Sequence, residues 1–426
     1  MVNLKMVWLR ASVMLIIGLS TIALGQTEER NLTTATPEDV GMNSAALEQF
    51  TEGLRDEVDK GQLAGIVTMV SRHGKLIQKD TYGYQDLENG IPMQEDSIFR
   101  IFSMSKPITG VAMMMLYEEG KFSLDDPVEK FIPEFSNLIV AKDDAANGIP
   151  IAELAEHKMT MRELMSHTGG LTYGPFSRSR VDTLYNEANM LDRNSSLQDM
   201  IDKLAQIPLR QQPGSVWHYS VSVDVQGYLV EVMSGMSFDE FLQERLFTPL
   251  GMVDTRFYVG QENAQRFSRE YTSGPDGLTS PENSDFIDPV PFLSGGGGLT
   301  STATDYMRFA QMLANDGVFD GTRIISGESV TLMRMNQLPQ GQTEIPGYPG
   351  NAFGLDFAVV MDPAKNGGMS KGSYWWWGIA GSWFWIDPVE DLVFVGMIQN
   401  RNLLYTRGLQ LKSKELLYNA VESSHQ

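Results

Sequence analysis

Hydrophobic spacing divides the chain into helical and strand-like stretches. Over residues 43–60, Leu47, Phe50, Leu54 and Val58 recur at helical spacing, which predicts an amphipathic helix. Residues 63–71 and 75–84 then run apolar or alternate around Arg72-His73-Gly74, the pattern of a β-hairpin. Residues 103–120 are apolar on nearly every side, through Val111, Met113, Met114, Met115 and Leu116, and stop at Gly120. A helix with no polar face is expected to be buried and central.

The middle of the chain, about 125–290, is rich in helical patterns and loops, with 224–235 and 238–247 as its clearest helices. Residues 259–292 are polar with Gly and Pro, and read as a long surface excursion. A glycine run at 295–298 reads as a tight turn, and Ser301, Thr302 and Asp305 supply a helix start for 306–316. Strand patterns return at 353–361, 380–386 and 392–399, followed by a helix at about 406–421. Strands thus bracket a helical middle. The expected fold class is α/β in the α+β sense: an antiparallel sheet made of both chain ends, helices packed on it, and an inserted all-α unit. The expected domains are a discontinuous one over 32–124 and 291–426 and an inserted, mainly helical one over 125–290.

The composition narrows the chemistry. The 426 residues are 42% apolar and 20% charged, ordinary for a folded protein. Zero Cys removes a disulfide scaffold, a thiolate zinc site and a cysteine nucleophile. A net charge of −21 disfavours binding to phosphate backbones, so no nucleic-acid partner is expected. Residues 1–25 read as a signal peptide, with an uncleaved N-terminal anchor as the alternative: Lys5 and Arg10 precede an apolar run, and Ala23-Leu24-Gly25 is a small-x-small cleavage site before Gln26. The apolar run is shorter than the ~20 residues of a spanning helix. The expected location is periplasmic or secreted, with no membrane span after cleavage.

Ser103-Met104-Ser105-Lys106 is the one Ser-x-x-Lys in the sequence. A serine hydroxyl is a poor nucleophile until a base takes its proton. A lysine three residues on, in a first helical turn, lies on the same face and can reach that oxygen. Pro107 suits the start of a helix, where the dipole favours developing negative charge. By spacing alone the pair reads as a helix cap and a snorkelling surface lysine sooner than as a catalytic pair, since about one such match is expected by chance.

The surroundings add a resemblance. Ser103-Met-Ser-Lys106-Pro, Leu164-Met-Ser-His-Thr-Gly-Gly-Leu171 and Pro213-Gly-Ser-Val-Trp-His-Tyr219-Ser-Val221 resemble the serine β-lactamase-like superfamily. Pro249-Leu-Gly-Met-Val-Asp-Thr255, Gly296-Gly-Gly-Leu-Thr-Ser-Thr302 and Trp383-Phe-Trp-Ile-Asp-Pro388 continue the pattern from about residue 40 to 420. The nearest branch is the family VIII carboxylesterases, relatives of class C β-lactamases and DD-peptidases. The resemblance implies the β-lactamase/transpeptidase-like fold, with Ser103 as acylated nucleophile and Lys106 as its proton partner. Tyr219, in the position of a Tyr-x-Asn motif, would act as general base and later acid. The oxyanion hole would be the backbone N–H groups of Ser103 and Ile379. The family's Lys-Thr-Gly falls at Trp376-Trp377-Gly378, a register open by one residue because Trp375, Trp376 and Trp377 are consecutive. Trp376, Trp377, Gly378 and Val221 would contact substrate.

The departures matter. Indoles cannot hold a substrate carboxylate as Lys and Thr do, and Val221 stands where the family often has Asn. Both changes argue against efficient β-lactam or peptide turnover and fit a neutral ester in an apolar cleft. Gly368-Met369-Ser370-Lys371-Gly372 matches a nucleophile elbow, yet it follows a turn and has only His425 downstream. His167 is implied to be structural, and His218 either tunes Tyr219 or packs. The five His show no short metal-ligand spacing, so no metal is expected. The reading is a secreted serine carboxylesterase acting on small, short-acyl esters through an acyl-Ser103 intermediate, needing no cofactor, with low side activity toward cephalosporins. Its rivals are a β-lactamase or DD-peptidase on cell-wall-like amides, and a catalytically silent binding protein of the same fold.

Overall fold

The computed structural model describes residues 32–142, 152–281 and 285–422. The expected signal peptide at 1–25 lies outside these residues. Eight strands form the main sheet: β1 (Gly65–Arg72), β2 (Lys75–Asp86), β3 (Ile91–Pro92), β4 (Asn351–Phe353), β5 (Ala358–Val360), β6 (Tyr374–Trp377), β7 (Trp383–Asp387) and β8 (Leu392–Met397). Their order is β4-β5-β6-β7-β8-β1-β2-β3, with every neighbouring pair antiparallel. The two chain ends meet at the β8–β1 seam, where Val67 pairs with Met397 and Arg72 with Leu392.

Period-two alternation sorts the side chains onto two cores. Ile66 and Val70 of β1, Trp383 and Trp385 of β7, and Leu392 and Phe394 of β8 face helices α1 (Ser44–Asp59) and α5 (Leu403–Tyr418). Val67, Met69, Phe384, Ile386, Val393 and Val395 face the opposite way, toward α2 (Ser105–Glu118) and α4 (Ala303–Ala314). Both faces are covered, so all eight β1 residues are buried despite the antiparallel pairing. The α1 face is closed by aromatic contacts: Trp385 stacks on Phe394 at 4.1 Å, and Phe50 meets Phe394 edge-on at 5.9 Å. Truncating such a ring costs about 3–5 kcal/mol.

Beyond α2 lies a layer of helices, of which α3 (Ser222–Ser234) packs directly on it. From Ser105 to Leu116, every α2 residue is buried, as an all-round apolar helix requires. The glycine run is held along α2 by Thr109, which donates to the Gly295 carbonyl at 2.9 Å, and by Ser105, which accepts from Leu299 N at 3.1 Å.

Two expectations are corrected. The single strand at 353–361 is a hairpin, β4 and β5, because Gly354–Phe357 turns back on itself: Gly354 N donates to the Phe357 carbonyl at 2.9 Å, and Asp356 adopts φ +69°. The 259–292 segment is no mere surface excursion. Ile98 bridges Phe267, Tyr271 bridges Asn400, and Val259, Tyr271, Phe286 and Phe292 are buried. Its isolated apolar residues show no periodicity, so their burial had no pattern to betray it.

Candidate functional site

Ser103 lies in a single 3-10 turn, Phe102–Met104, that runs straight into α2. Phe102 adopts φ +42°, a strained conformation for an aromatic residue. Its ring is pinned edge-on by Phe286 at 5.7 Å and capped by the Arg401 guanidinium at 4.3 Å from the ring centre. The strain is thus held from outside the turn, and Ser103 remains half-buried at its crest.

Lys106, one turn on, is fully buried. Its Nζ donates to the Gly296 carbonyl at 2.6 Å and lies 3.3 Å from Ser103 Oγ. Burial lowers its pKa to about 8, against the opposing pull of Asp224 and Asp356. Gly296 links Lys106 to Asp224, because its N–H donates to Asp224 Oδ1 at 3.1 Å. A Cβ at Gly296 would stand 2.5 Å from Asp224 Oδ2, so the close approach requires glycine.

Tyr219 comes from the segment that precedes α3. Its hydroxyl donates to Ser103 Oγ at 2.7 Å. Its ring is caged by Tyr173, stacked at 5.3 Å, by Trp376 at 5.6 Å and by His167 at 5.0 Å. Lys106 Nζ lies 4.6 Å from the centre of the same ring. This enclosure raises the phenol pKa well above its ordinary value. His167, at φ +58°, carries the segment: its carbonyl accepts from His218 N at 2.9 Å and its Nδ1 accepts from Ser220 N at 3.2 Å. Burial keeps that imidazole neutral. His218 Nε2 lies 3.0 Å from Thr172 Oγ1, and burial lowers its pKa to about 4. Val221 is buried just before α3, its N–H bound to the Thr172 carbonyl at 3.1 Å.

Strand β6 closes the other side. Alternation turns Trp376 toward Tyr219 and sends Trp375 and Trp377 to the opposite face, where Trp377 Nε1 donates to Tyr348 Oη at 2.9 Å. The Trp377 side chain is therefore not brought to Ser103. Trp376 Nε1 is buried with no hydrogen-bond partner among the described residues. At the end of β6, a Cβ on Gly378 would stand 2.3 Å from the Ile101 carbonyl, so a glycine lets the strand end abut the Ser103 turn. Ile379 follows in the tight turn closed by Gly381 N donating to the Gly378 carbonyl at 2.8 Å. Ser370 lies before β6, at the far end from Gly378, its N–H donating to Asp387 Oδ2 at 3.1 Å.

Four neighbours of this constellation escaped the sequence reading: Tyr173, Asp224, Phe286 and Asp356. Asp224 did carry a signal, a lone charge among Val221, Val223, Val225, Leu229 and Val230. Asp356 is fully buried, accepts from Gln226 Nε2 at 2.9 Å, and is pushed well above the usual carboxylate pKa by burial.

The family model described as Beta-lactamase matches residues 47–406. Protein Rv1367c of Mycobacterium tuberculosis is 37% identical over 82% of this chain and 88% of its own length. Esterase EstB of Burkholderia gladioli is 31% identical over 79% of this chain and 85% of its own. Among solved structures, EstCE1, described as a hydrolase with promiscuous acyltransferase activity, superposes with a TM-score of 0.74 at 24% identity, covering 88% of this chain and 99% of that one.

Proposed function

The chain belongs to the beta-lactamase family, and from that premise we propose that it is a serine carboxylesterase that hydrolyses small esters through an acyl-Ser103 intermediate. The observation that carries this reading is the convergence of Tyr219 Oη and Lys106 Nζ on Ser103 Oγ. Similarity to EstB supports esters as the substrate class. So does Trp376, whose apolar ring occupies the β6 position where the family's substrate-carboxylate lysine is expected.

The proton steps follow from the surroundings of each group. Lys106, as a free amine, keeps an N–H on the Gly296 carbonyl and turns its lone pair to Ser103. It takes the Ser103 proton as Oγ attacks the ester carbonyl. The backbone N–H groups of Ser103 and Ile379 receive the tetrahedral oxyanion. The leaving alkoxide takes the Tyr219 proton, and the new ammonium of Lys106 against the Tyr219 ring stabilises the phenolate. In deacylation the phenolate takes a proton from water, the hydroxide attacks the acyl carbon, and Ser103 Oγ leaves with the Lys106 proton. Raising the phenol pKa by burial favours this order, acid first and base second, the reverse of the base-then-acid order that the resemblance implies. The groups return to their starting states, so no cofactor enters.

Among the described residues no helix is long and apolar enough to cross a membrane. The signal-like segment at 1–25 supports secretion or a periplasmic location. The test of the activity is hydrolysis of p-nitrophenyl butyrate by wild type and Ser103→Ala, with a chromogenic cephalosporin alongside. Ester turnover lost in the variant, with little cephalosporin cleavage, is the expected result. Fast cephalosporin cleavage moves the protein to the β-lactamase side.

A further inference from the structure

On the sheet face opposite Ser103, between α5 and strands β6 and β7, lies a cavity of about 330 Å³. Its walls are apolar and aromatic: Trp375, Trp383, Trp385, Met369 and Leu411. Its polar lining is one-sided. Lys365, Arg407 and Lys414 line it, and among the described residues no carboxylate does. In a chain of net charge −21, a cavity with cations and no acid is a marked local reversal.

The cations are not all neutralised. Lys365 pairs with Glu344 at 3.5 Å. Lys414 makes no ion pair among the described residues: its Nζ donates only to Asn366, to the carbonyl at 2.6 Å and to Oδ1 at 3.3 Å. Yet the residue is only 7% exposed. Arg407 likewise has no carboxylate among the described residues; its guanidinium lies 4.8 Å from the Tyr348 ring centre and donates to the Gly347 carbonyl. Two further lining side chains, Trp385 and Gln410, carry N–H groups with no hydrogen-bond partner among the described residues. A buried ammonium without an anion is costly, and burial accordingly lowers the Lys414 pKa to about 8.

We propose that this cavity is a second ligand site, separate from Ser103, for a small carboxylic acid with an apolar body. The carboxylate would pair with Lys414 and Arg407 at the α5 rim, and the apolar body would lie against Trp375, Trp383 and Trp385. A volume of about 330 Å³ sits at the lower end of small-molecule pockets, which suits a medium-chain or aryl-alkanoic acid and excludes a large lipid. The three indoles make the site its own reporter. The binding does not depend on the proposed hydrolysis, because it is read without turnover.

The probe is decanoate, titrated into the full-length protein by calorimetry and by tryptophan emission, with decanol as the uncharged control. Expected is saturable binding of one decanoate per chain that shifts the emission, and about tenfold weaker binding of decanol. Lys414→Met should weaken decanoate by about tenfold or more, while Ser103→Ala leaves its affinity unchanged. Should Lys414→Met fail to fold, Leu411→Trp, at a position 53% exposed, fills the cavity from its rim and should abolish binding. No saturable binding at millimolar decanoate overturns the proposal. So does undiminished binding in folded Lys414→Met or in Leu411→Trp.

Discussion

Tyr219 reaches Ser103 Oγ at 2.7 Å, closer than the 3.3 Å between Lys106 Nζ and the same oxygen. The hydroxyl therefore has partners for both halves of a proton exchange before any substrate arrives. Ser103→Ala should abolish ester turnover and covalent labelling while the unfolding temperature holds. Tyr219→Phe keeps the caged ring and removes only the Oη; it should cost on the order of 10²-fold or more in kcat. A near-normal rate in steady-state assays would remove Tyr219 from the chemistry.

Lys106 sets a pH dependence. With its pKa lowered from the usual 10.5 to about 8 by burial, the amine gains its lone pair as pH rises through about 8. kcat/KM for a neutral ester should rise over that range and then level. The folded state binds fewer protons than the unfolded chain between about 8 and 10.5, so this group's contribution to stability grows with pH across the same window. Lys106→Arg, which stays charged, should lose the rise and at least about 10² of the rate. A flat profile in the wild type would contradict the amine as base.

Asp224 pulls the Lys106 pKa upward against burial. Asp224→Asn keeps an oxygen for the Gly296 N–H and removes the charge. The acid limb of the kcat/KM profile should then move to lower pH. A purely structural Asp224 would lower activity without moving that limb.

Gly378→Ala forces a Cβ to within 2.3 Å of the Ile101 carbonyl. Either β6 or the Ser103 turn must shift, and a displacement of this order costs about 10²-fold in rate. The loss should appear in kcat, with a smaller drop in unfolding temperature. Ser370→Ala, by contrast, should leave turnover unchanged; a large loss there would revive the elbow at 368–372 as a nucleophile site.

Local spacing made some of these features legible and left others hidden. Ser103 and Lys106 stand in one turn, so their meeting was readable from a three-residue interval. The two-faced alternation of Trp383 to Asp387 gave a strand, and the same rule settles which indole of Trp375 to Trp377 meets Tyr219. Asp356 was hidden because its left-handed turn splits what reads as one strand, and Phe286 because a lone aromatic in a polar stretch has no period. Tyr173 meets Tyr219 only through the folding back of a loop, a long-range event that no local pattern encodes.

The β8–β1 seam bears on how the chain reaches this state. During synthesis the β1–β2 hairpin emerges with apolar residues on both faces and one edge unpaired, and β8 follows only after the long intervening chain. Non-local closure of this kind is slow, and an open apolar edge invites pairing with other chains. Refolding from denaturant should therefore be slow and concentration-sensitive, and in the cell the nascent hairpin is a natural client for a holding chaperone until the last strand docks.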